Sequence, residues 1–587
     1  MSTEGSRSWV PASTTASCPA GPSRWRRRLL LATAAVGIAV VGLPASSSWA
    51  DTPSTPAGPN AAYVVTTPGA PDASAALADV GSAGGQVFQR DDNAQSVAAA
   101  LTSAQAAALG STPGVVVTPD VAISVQDATT TAPTRAPAAV FAQESGATAL
   151  WAQGDTGQGV NVAVVDTGID NLPDFAGRLV GGVDLSGEGN PFQDSYGHGT
   201  FVAGLIAGNG ASSGGQYTGE APGAGLISVK VAGASGQTDL ATVLAGIDWV
   251  IANRNVDHIG VMNLSFGMLP LTSTVINPLD HAVEAAWKAG MVVVAAAGNA
   301  GPFNGTILSP GDDPLVITAG ALDDQGTAST SDDTMTTFSS VGPTAPDGWI
   351  KPDLVASGRS VISLRAPGST VDLQNPSARI GTGNFVGSGT SFSAAITSGA
   401  AALMLESIPG ASPNDVKGRL LAGAAPGPVG NPFVDGHGAL NLPGALALGS
   451  GNSVHLSQST PTQPTMWGST VSLPSRWAGS AWNGANFSGS FSGGAWNGGA
   501  WNGGAWNGGA WNGGAWNGFT WNGGAWNGGA WNGSAWNAVT WNGGAWNGSA
   551  WNGSAWNGSA WNGGAWNGGA WNGGAWNGGS WNGSSWN

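Results

Sequence analysis

The chain has 587 residues, a formal net charge of −16 and a pI of about 4.4. Phosphate binding needs a basic surface, so this acidic balance argues against nucleic acid as a partner. The only cysteine is Cys18, which excludes a disulfide framework and a cysteine-based metal site. A chain of this length predicts about three or four structural units.

The first fifty residues have the pattern of an export signal. Basic residues over 24–28 precede an apolar run over 29–43, and the small residues Ser48 and Ala50 favour cleavage before Asp51. An uncleaved membrane anchor is the alternative, but the run is shorter than the roughly twenty residues that a bilayer span requires. We expect residues 1–50 to be a signal peptide and the remainder to be secreted, either extracellular or associated with the cell surface.

Residues 51–143 have the pattern of a small α+β unit followed by a linker. Apolar runs predict strands over 63–67 and 114–119, and helical patterns cover 75–80 and 103–109. The Thr/Pro/Ala-rich stretch 127–137 has the composition of an exposed linker.

Residues 144–448 alternate apolar strands with helical patterns. Strands are predicted over 160–165, 261–264 and 291–297, and helices over 238–253, with Thr238 as N-cap, and from Asn277 to Gly290. This alternation predicts an α/β fold in which a parallel sheet carries helices on both faces. Ligands bind at the carboxyl ends of strands in such sheets. Asp166, Ser265 and Asn299 all follow predicted strand ends, so we expect them to share one site.

Four motifs contain residue types that nucleophilic catalysis requires. A serine hydroxyl attacks only when an imidazole takes its proton and a carboxylate orients that imidazole. Asp166 lies in VVDTGID, His198 in GHGTFVAG, and Ser391 in GSGTSFSAA ahead of an apolar helix. Asn299, in AAGN, is an amide that can donate to an oxyanion. Each residue alone also has a structural explanation, such as helix capping by the serine.

Together, these motifs resemble those of the subtilisin-like serine proteases, the subtilase family. The family has the chain order Asp, His, Ser, which is the order of Asp166, His198 and Ser391. Further stretches match the family at 228–231 (SVKV), 263–267 (NLSFG), 338–343 (FSSVGP) and 351–354 (KPDL). The resemblance covers about 145–448, roughly half of the chain.

The resemblance implies a role for each residue. Ser391 would attack the scissile carbonyl, His198 would act as general base and then general acid, and Asp166 would orient His198. The Asn299 side chain and the Ser391 backbone N–H would form the oxyanion hole. Ser388 and Ser393 are the alternative nucleophiles. We therefore expect a secreted serine endopeptidase that works through an acyl-enzyme and needs no cofactor for its chemistry.

The family also implies that substrate lies as an extended strand beside the segment that follows the second predicted strand. No charged residue occurs among the residues expected to bind substrate, so an apolar or aromatic side chain is predicted in the specificity pocket. Leu308 is expected at the base of this pocket. The expected set is Leu264, Ser265, Phe266, Gly267, Ala297, Gly298 and Leu308.

Two features depart from the family pattern. Many members carry Pro-His-Val-Ala-Gly after the nucleophile, whereas 395–399 reads AITSG, so we expect altered helix packing with retained activity. Asp174 resembles a calcium ligand of the family, but the loop 209–219 differs in length from the second half of that site. A structural calcium ion is left open, and no metal ligand is assigned.

Within 51–143, the segments 100–105 (ALTSAQ) and 113–120 (PGVVVTPD) resemble the inhibitory propeptide of the family. The resemblance implies an intramolecular inhibitor, made with the enzyme as a zymogen and released by self-cleavage between about Val125 and Gly146. The alternative is a small module without catalytic relevance.

The C-terminal part begins with a Ser/Thr/Pro/Gln-rich linker over 449–476 and continues as a tryptophan repeat over 477–587. Tryptophan recurs every five residues from Trp496 to Trp586, mostly as GAWNG, which loosely resembles pentapeptide repeats that coil into a four-sided β-helix. A disordered or self-associating tail is the alternative. Either form suits adhesion to cell-wall glycans. We expect a monomer, and the competing function is a surface adhesion protein whose protease fold is inactive or serves only its own processing.

Overall fold

The structure is a computed structural model that describes residues 60–67, 70–125, 139–270, 272–274 and 276–448. In the C-terminal part it describes only the backbone of five strands, which are introduced below. The predicted signal peptide and most of both predicted linkers lie outside the described residues, so those predictions remain untested.

Residues 60–125 form a small α+β module and then a separate strand. Four antiparallel strands in the order β2-β3-β1-β4 pack beneath two helices. Both predicted helices and both predicted strands are confirmed, whereas β2 and β3 were missed. The alanine-rich sequence of β3 favours helix by intrinsic propensity, and pairing with β1 overrides that preference. The elements are β1 Ala61–Thr66, α1 Ser74–Ser82, β2 Gln86–Asp91, β3 Ser96–Leu101, α2 Ser103–Gly110, β4 Val116–Pro119 and β5 Ala122–Val125.

The main domain, residues 139–448, is built on an eight-stranded sheet in the order β14-β13-β12-β10-β6-β8-β7, with β15 beside β13. All neighbouring pairs are parallel except β13 with β14. Strands β16, β17 and β18 form a second, antiparallel sheet. The strands are β6 Asn161–Asp166, β7 Leu179–Asp184, β8 Gly225–Lys230, β9 Gln237–Asp239, β10 Ile259–Leu264, β11 Phe266–Gly267, β12 Val292–Ala296, β13 Ile317–Asp323, β14 Thr334–Met335, β15 Leu354–Ser357, β16 Val361–Leu364, β17 Arg379–Ile380 and β18 Asn384–Gly387.

Helices cover both faces of the main sheet, as the sequence predicts. Helix α9 packs with α5 on one face, against β10, β12, β13 and β15, and α6 packs with α7 on the other. The helices are α3 Phe141–Glu144, α4 Ala147–Trp151, α5 His198–Ala207, α6 Leu240–Asn253, α7 Pro278–Lys288, α8 Thr370–Gln374, α9 Thr390–Ser407, α10 Pro413–Ala422 and α11 Leu442–Ala447.

Helix caps show one error in the sequence prediction. Asn277 caps α7 as expected, because its side chain accepts the N–H of Leu279 at 3.0 Å. Thr238, however, does not cap α6. It belongs to β9, and the side chain of Asp239 accepts the N–H of Thr242 at 2.8 Å instead. A carboxylate is a strong N-cap, and strand pairing of β9 with β5 takes Thr238 out of the capping position.

Two lysines and an aspartate form a buried ion cluster between β13, β15 and α10. Lys351 Nζ donates to Asp353 Oδ2 at 2.6 Å, and Lys417 Nζ lies 3.1 Å from Asp353 Oδ1. Lys417 Nζ also donates to the carbonyls of Pro314 and Val316. Burial alone raises the pKa of the Asp353 carboxyl, but the two ammonium groups outweigh it and hold the pKa below its usual value. Burial lowers the pKa of Lys417 to about 8.

In the C-terminal part, β22 pairs with β23 in parallel at an offset of twenty residues, which is four pentapeptides. Trp551 is opposite Trp571, for example, and 571 − 551 = 20. The tail strands are β19 Thr462–Pro464, β20 Thr470–Ser472, β21 Ala481–Phe487, β22 Ala495–Gly568 and β23 Trp571–Trp586.

None of the helices in the described part of the chain combines the length and apolar character needed to cross a membrane.

Replacing Asp353 with Asn should lower the free energy of unfolding by about 3–5 kcal/mol, because it leaves two buried ammonium groups without a counter-charge. Urea denaturation followed by circular dichroism measures this loss. The control is Arg359→Gln, which removes a half-exposed partner 3.4 Å from Asp323 and should move the midpoint far less. Equal midpoints for the two variants would contradict a stabilising role for the cluster.

Candidate active site

Asp166 and His198 form a buried pair at one edge of the main sheet. Asp166 is the last residue of β6, and His198 is the first residue of α5. The Nδ1 atom of His198 lies 2.8 Å from Oδ1 and 2.9 Å from Oδ2 of Asp166. Because an ionised carboxylate only accepts hydrogen bonds, Nδ1 carries the proton and Nε2 is left as the basic nitrogen.

A second carboxylate, that of Asp194, holds together the two segments that carry this pair. It accepts hydrogen bonds from the Thr167 hydroxyl at 2.8 Å and from the N–H groups of Gly197 and Thr200 at 2.7 Å. Burial raises the pKa of Asp194, and these hydrogen bonds oppose that rise. Sequence analysis missed Asp194, because an acidic residue in a loop before the histidine motif carries no recognisable pattern.

The glycine after His198 is required by close packing. A Cβ at Gly199 would lie 2.2 Å from the carbonyl oxygen of Gly168, in the turn after β6. The N–H of Gly199 also donates to the Thr167 hydroxyl at 2.9 Å. Helix α5 can therefore approach the Asp166 turn only with glycine at this position.

Ser391 lies in the first turn of α9 and is fully buried. Its Oγ donates to the carbonyl of Ser265 at 3.1 Å, and the Oγ of Ser265 donates to the carbonyl of Ser391, also at 3.1 Å. The ring of the next residue, Phe392, lies 5.8 Å from the imidazole of His198, centroid to centroid. The fold thus brings Ser391, His198 and Asp166 to the same edge of the sheet.

The two alternative serines are directed elsewhere. Ser388 Oγ accepts the N–H of Ser360 at 2.9 Å, and Ser393 Oγ donates to the carbonyl of Ala356 at 3.0 Å. These two hydrogen bonds connect α9 and the turn before it to residues 356–360, at the end of β15. Among these three serines, only Ser391 bonds to the segment expected to bind substrate.

Asn299 follows β12 and is anchored at the start of α9. Its side-chain oxygen accepts the N–H and the hydroxyl of Thr390, both at 3.0 Å. The Thr390 hydroxyl is also within 3.1 Å of the N–H of Gly298. Thr390 therefore orients the amide next to Ser391, a positioning role that sequence analysis did not assign.

The predicted substrate-binding residues lie at the end of β10, in and around β11, directly after β12 and at Leu308. Leu264 ends β10 and Ser265 follows it, and Phe266–Gly267 form β11, which pairs antiparallel with β5. Strand β5 pairs on its other side with β9. In this structure, β11 therefore pairs with an extended strand of the same chain, β5.

Ala297 and Gly298 lead from β12, the parallel neighbour of β10, to Asn299. The N–H of Leu308 donates to the carbonyl of Ala297 at 3.0 Å, which holds Leu308 next to this turn. Leu308 is only 5% exposed. Leu308 also lies against the backbones of Gly298 and Gly267, which brings these two predicted segments together.

The helix after the nucleophile remains regular although the sequence departs from the family pattern. Ala395 and Ile396, at the positions of the family's Pro and His, are buried in the core. Ser398 donates to the side-chain oxygen of Asn263 at 3.0 Å, and the Asn263 amide donates to the Ser265 hydroxyl at 2.9 Å. The altered sequence thus adds polar contacts between α9 and β10.

The carboxylate of Asp174 is bonded to Ser212 in this structure. Its carboxylate accepts the N–H of Ser212 at 3.1 Å and also accepts the hydroxyl of Ser212. In the described part of the chain, no group of three or more His, Cys, Asp or Glu side chains could hold a metal ion. We therefore assign no metal ligand.

Comparison with known proteins identifies the family. Residues 157–439 match the sequence model of the subtilase family. A subtilisin of Bacillus pumilus is 35% identical over 303 residues, which are 51% of this chain and 95% of that protein. The chain belongs to the subtilase family. Its subtilase domain is that of a serine endopeptidase, which confirms the enzyme class predicted from the motifs.

Two further relatives extend the comparison. Serine protease AprX of Bacillus subtilis (strain 168) is 46% identical over 291 residues, 49% of this chain and 66% of that protein. The crystal structure of fervidolysin from Fervidobacterium pennivorans, a keratinolytic enzyme related to subtilisin, aligns with a TM-score of 0.51 at 23% identity. It covers 69% of this chain and 62% of that chain, and this likeness supports the subtilisin-like α/β fold alone. The chain thus spans about two thirds of AprX and somewhat less of fervidolysin.

Replacing Asn299 with Ala should lower kcat by about 10²–10³ with little change in KM, because an oxyanion donor acts mainly in the transition state. This magnitude is borrowed from subtilisin, a member of the same family. Steady-state kinetics on a peptide anilide measure it. Asn304→Ala, an exposed residue of the following loop, is the matched control and should keep wild-type kinetics. A similar kcat for the two variants would contradict the oxyanion role.

Proposed function

We propose that the chain is a secreted, self-processing serine endopeptidase in which Ser391, His198 and Asp166 form the catalytic triad. The observation that carries this proposal is the buried Asp166–His198 pair at the edge where Ser391 bonds to Ser265. The competing idea of an inactive adhesion protein is not favoured, because a fold that had lost its chemistry would have no need to keep this pair.

In the acylation step, Ser391 Oγ attacks the carbonyl carbon of the scissile peptide while its proton passes to His198 Nε2. The negative charge on the carbonyl oxygen is stabilised by the Asn299 amide and the Ser391 N–H. His198 then gives its proton to the leaving amine nitrogen, the C–N bond breaks, and an ester to Ser391 Oγ remains. Asp166 stabilises the imidazolium throughout without accepting its proton.

In the deacylation step, a water molecule replaces the departed amine. His198 takes a proton from this water, the resulting hydroxide attacks the ester carbonyl, and the proton returns to Ser391 Oγ as the carboxylic acid leaves. The substrates are proteins or peptides that pair as an extended strand with Phe266–Gly267.

We further propose that residues 51–143 act as the inhibitory propeptide and its linker. Support comes from β5, which lies between β9 and β11, with Gly267 opposite Ser124 and Phe266 opposite Val125. A strand in this position uses the same backbone groups that a substrate would use, so it blocks the cleft.

Contacts with α6 support the same role for the preceding module. Asp120 accepts the N–H of Ala241 at 2.9 Å, in the first turn of α6, where a negative charge is stabilised by the helix dipole. The side chain of Gln89 donates to the carbonyl of Ala241, and Asp248 accepts the N–H of Asn93 at 2.7 Å. The module therefore docks on α6 through three directed hydrogen bonds.

The register of β5 supports a specific position for the proposed self-cleavage. Val125 is opposite Phe266, so the same register continued by one residue would bring Gln126 opposite Ser265, whose carbonyl accepts the Ser391 hydroxyl. Gln126 itself lies outside the described residues. We infer that self-cleavage occurs between Gln126 and Asp127, inside the range expected from sequence.

The secreted wild-type chain should begin at Asp127, and a Ser391→Ala chain should keep residues before Asp127 and lose activity on casein. Loss of the nucleophile costs about 10⁶ in kcat in subtilisin, a magnitude borrowed from the family. Intact-mass and N-terminal analysis of both products, with a casein assay, measure these outcomes.

The matched control is Ser393→Ala, which removes a buried hydroxyl two residues away and should still process itself. Equal processing and activity in the Ser391→Ala chain would refute Ser391 as nucleophile. A wild-type N-terminus far from Asp127 would instead contradict the cleavage point inferred from the β5 register. It would not contradict self-cleavage itself.

Export rests on the signal-like residues 1–50, and one relative is named an extracellular serine proteinase, from Thermus sp. (strain Rt41A). We propose the same location for this chain, as a monomer, with cell-surface association through the tail. The repeat over 477–587 would bind cell-wall glycans, because aromatic rings present apolar faces while asparagine amides donate and accept hydrogen bonds. The twenty-residue register of β22 and β23 supports this, since it aligns equivalent repeat positions along the tail.

Removal of the tail should abolish retention on purified cell-wall material. A Ser391→Ala chain ending at Leu448 is compared with the same variant at full length, in a pull-down with insoluble wall fragments. Retention of the full-length chain alone supports glycan binding. Equal retention of both, or none for either, would contradict it.

A further inference from the structure

The N-terminus of helix α5 coincides with the imidazole of the candidate triad. His198 is the first of the ten residues of this helix. A helix N-terminus carries a partial positive charge, which stabilises anions and destabilises cations. In the proposed mechanism, His198 becomes an imidazolium in both acylation and deacylation. Its position at the start of α5 therefore opposes the protonation on which catalysis depends, unless another group compensates for the helix dipole.

The carboxylate of Asp194 supplies a negative charge at this end of the helix. The N-cap residue, Gly197, has no side chain with which to cap α5, and Asp194 Oδ1 accepts its N–H at 2.7 Å. Asp194 Oδ2 accepts the N–H of Thr200, in the first turn, also at 2.7 Å. Asp194 thus caps α5 from outside the helix and binds two of the N–H groups that a helix start leaves without partners.

The hydrogen bonds indicate that this carboxylate is ionised. The N–H groups of Gly197 and Thr200 can only donate. The third partner is the Thr167 hydroxyl, whose oxygen already accepts the N–H of Gly199 at 2.9 Å and which donates to Asp194 at 2.8 Å. A neutral carboxyl would need an acceptor for its own proton. Because Asp194 is only 3% exposed, water and salt screen its charge weakly.

Two ion pairs near His198 add no unpaired charge to this region. Lys230, at the end of β8, lies with its Nζ atom 3.0 Å from Oε2 of Glu188, in the loop after β7. On another side, Arg365 and Asp372 line the same cavity as His198, and the guanidinium Nε lies 2.5 Å from Asp372 Oδ1. The basic groups that approach the imidazole are therefore already matched by carboxylates.

Two further carboxylates lie near the imidazole, and each has another role. Asp166 accepts the proton-bearing Nδ1 of His198 directly. Asp170, in the turn after β6, accepts the backbone N–H of Asp194 at 2.7 Å and so fixes the loop that carries this residue. Of these carboxylates, only that of Asp194 accepts N–H groups at the start of α5.

We propose that Asp194 is a positioning residue for catalysis, whose buried charge offsets the dipole of α5 and stabilises the imidazolium form of His198. This rests on the proposed function. It goes beyond the anchoring of the Asp166 and His198 segments, because a neutral side chain that accepts hydrogen bonds could also anchor them. The charge itself is therefore the property to be tested.

Replacing Asp194 with Asn should move the midpoint of the acidic limb of the kcat/KM profile to lower pH by about 0.5–1 pH unit. The direction follows because loss of a nearby negative charge disfavours the imidazolium. For the same reason, the plateau of kcat/KM should fall about three- to tenfold. The measurement uses a peptide anilide and the secreted full-length chain after self-processing.

Thr167→Val is the matched control. It removes one hydrogen bond from the same junction but keeps the charge, so it should leave the midpoint unchanged whatever its effect on kcat. Asp194→Glu keeps the charge and alters the geometry, and it should restore the wild-type midpoint more fully than it restores kcat. A purely structural role would instead lower kcat in all three variants without moving the midpoint.

An unchanged midpoint in Asp194→Asn, or an equal displacement in Thr167→Val, would overturn the proposal. Should Asp194→Asn fail to fold, Asp194→Ser supplies the same comparison, because it keeps a neutral acceptor at the helix start. The pH dependence of Ser391 labelling by a small fluorophosphonate gives the midpoint for variants that cleave the anilide too slowly. Absence of both labelling and anilide cleavage in the wild type would refute the proposed function itself, which distinguishes the two failures.

Discussion

The reciprocal hydrogen bonds between Ser265 and Ser391 join the two parts of the molecule on which the site depends. Ser265 immediately precedes β11, the strand that pairs with β5, and Ser391, the candidate nucleophile, lies in the first turn of α9. Asn263 and Ser398 extend this connection two turns further along α9. Because these bonds are buried, a shift of the helix along the sheet would leave several polar groups without partners. Nucleophile and substrate edge are therefore positioned as one unit.

The same edge is also the basis of the proposed inhibition by the N-terminal module. Strand β5 pairs with β11 and so occupies the backbone groups that an extended substrate would need. Leu308 packs closely against the backbones of Gly267 and Gly298. Its segment leads into the 311–316 loop, whose end is held by the buried ammonium groups of Lys351 and Lys417. The buried ion cluster thus anchors the end of the segment that follows Leu308.

Much of the fold could be predicted because its signals are local. Nearly continuous apolar runs indicate buried parallel strands, and β6 and β12 lie within one residue of where the sequence put them. The candidate triad could be found because its residues follow strand ends or begin helices in glycine-rich motifs. The failures had non-local causes. Strand pairing displaced Thr238 from its predicted capping role, and β3 became a strand against its own propensity.

By itself, the sequence determined the order of strands and helices, the residue types available for chemistry and the family that they indicate. Only the tertiary structure decided which partner each buried polar group finds. The bonds between Ser265 and Ser391 span 126 positions of sequence, and that between Thr390 and Asn299 spans 91. Likewise, only packing shows that one leucine fills the gap between two glycines that are 31 positions apart, since 298 − 267 = 31. Local periodicity carries no information on such contacts, because they depend on how distant segments share space in the folded chain.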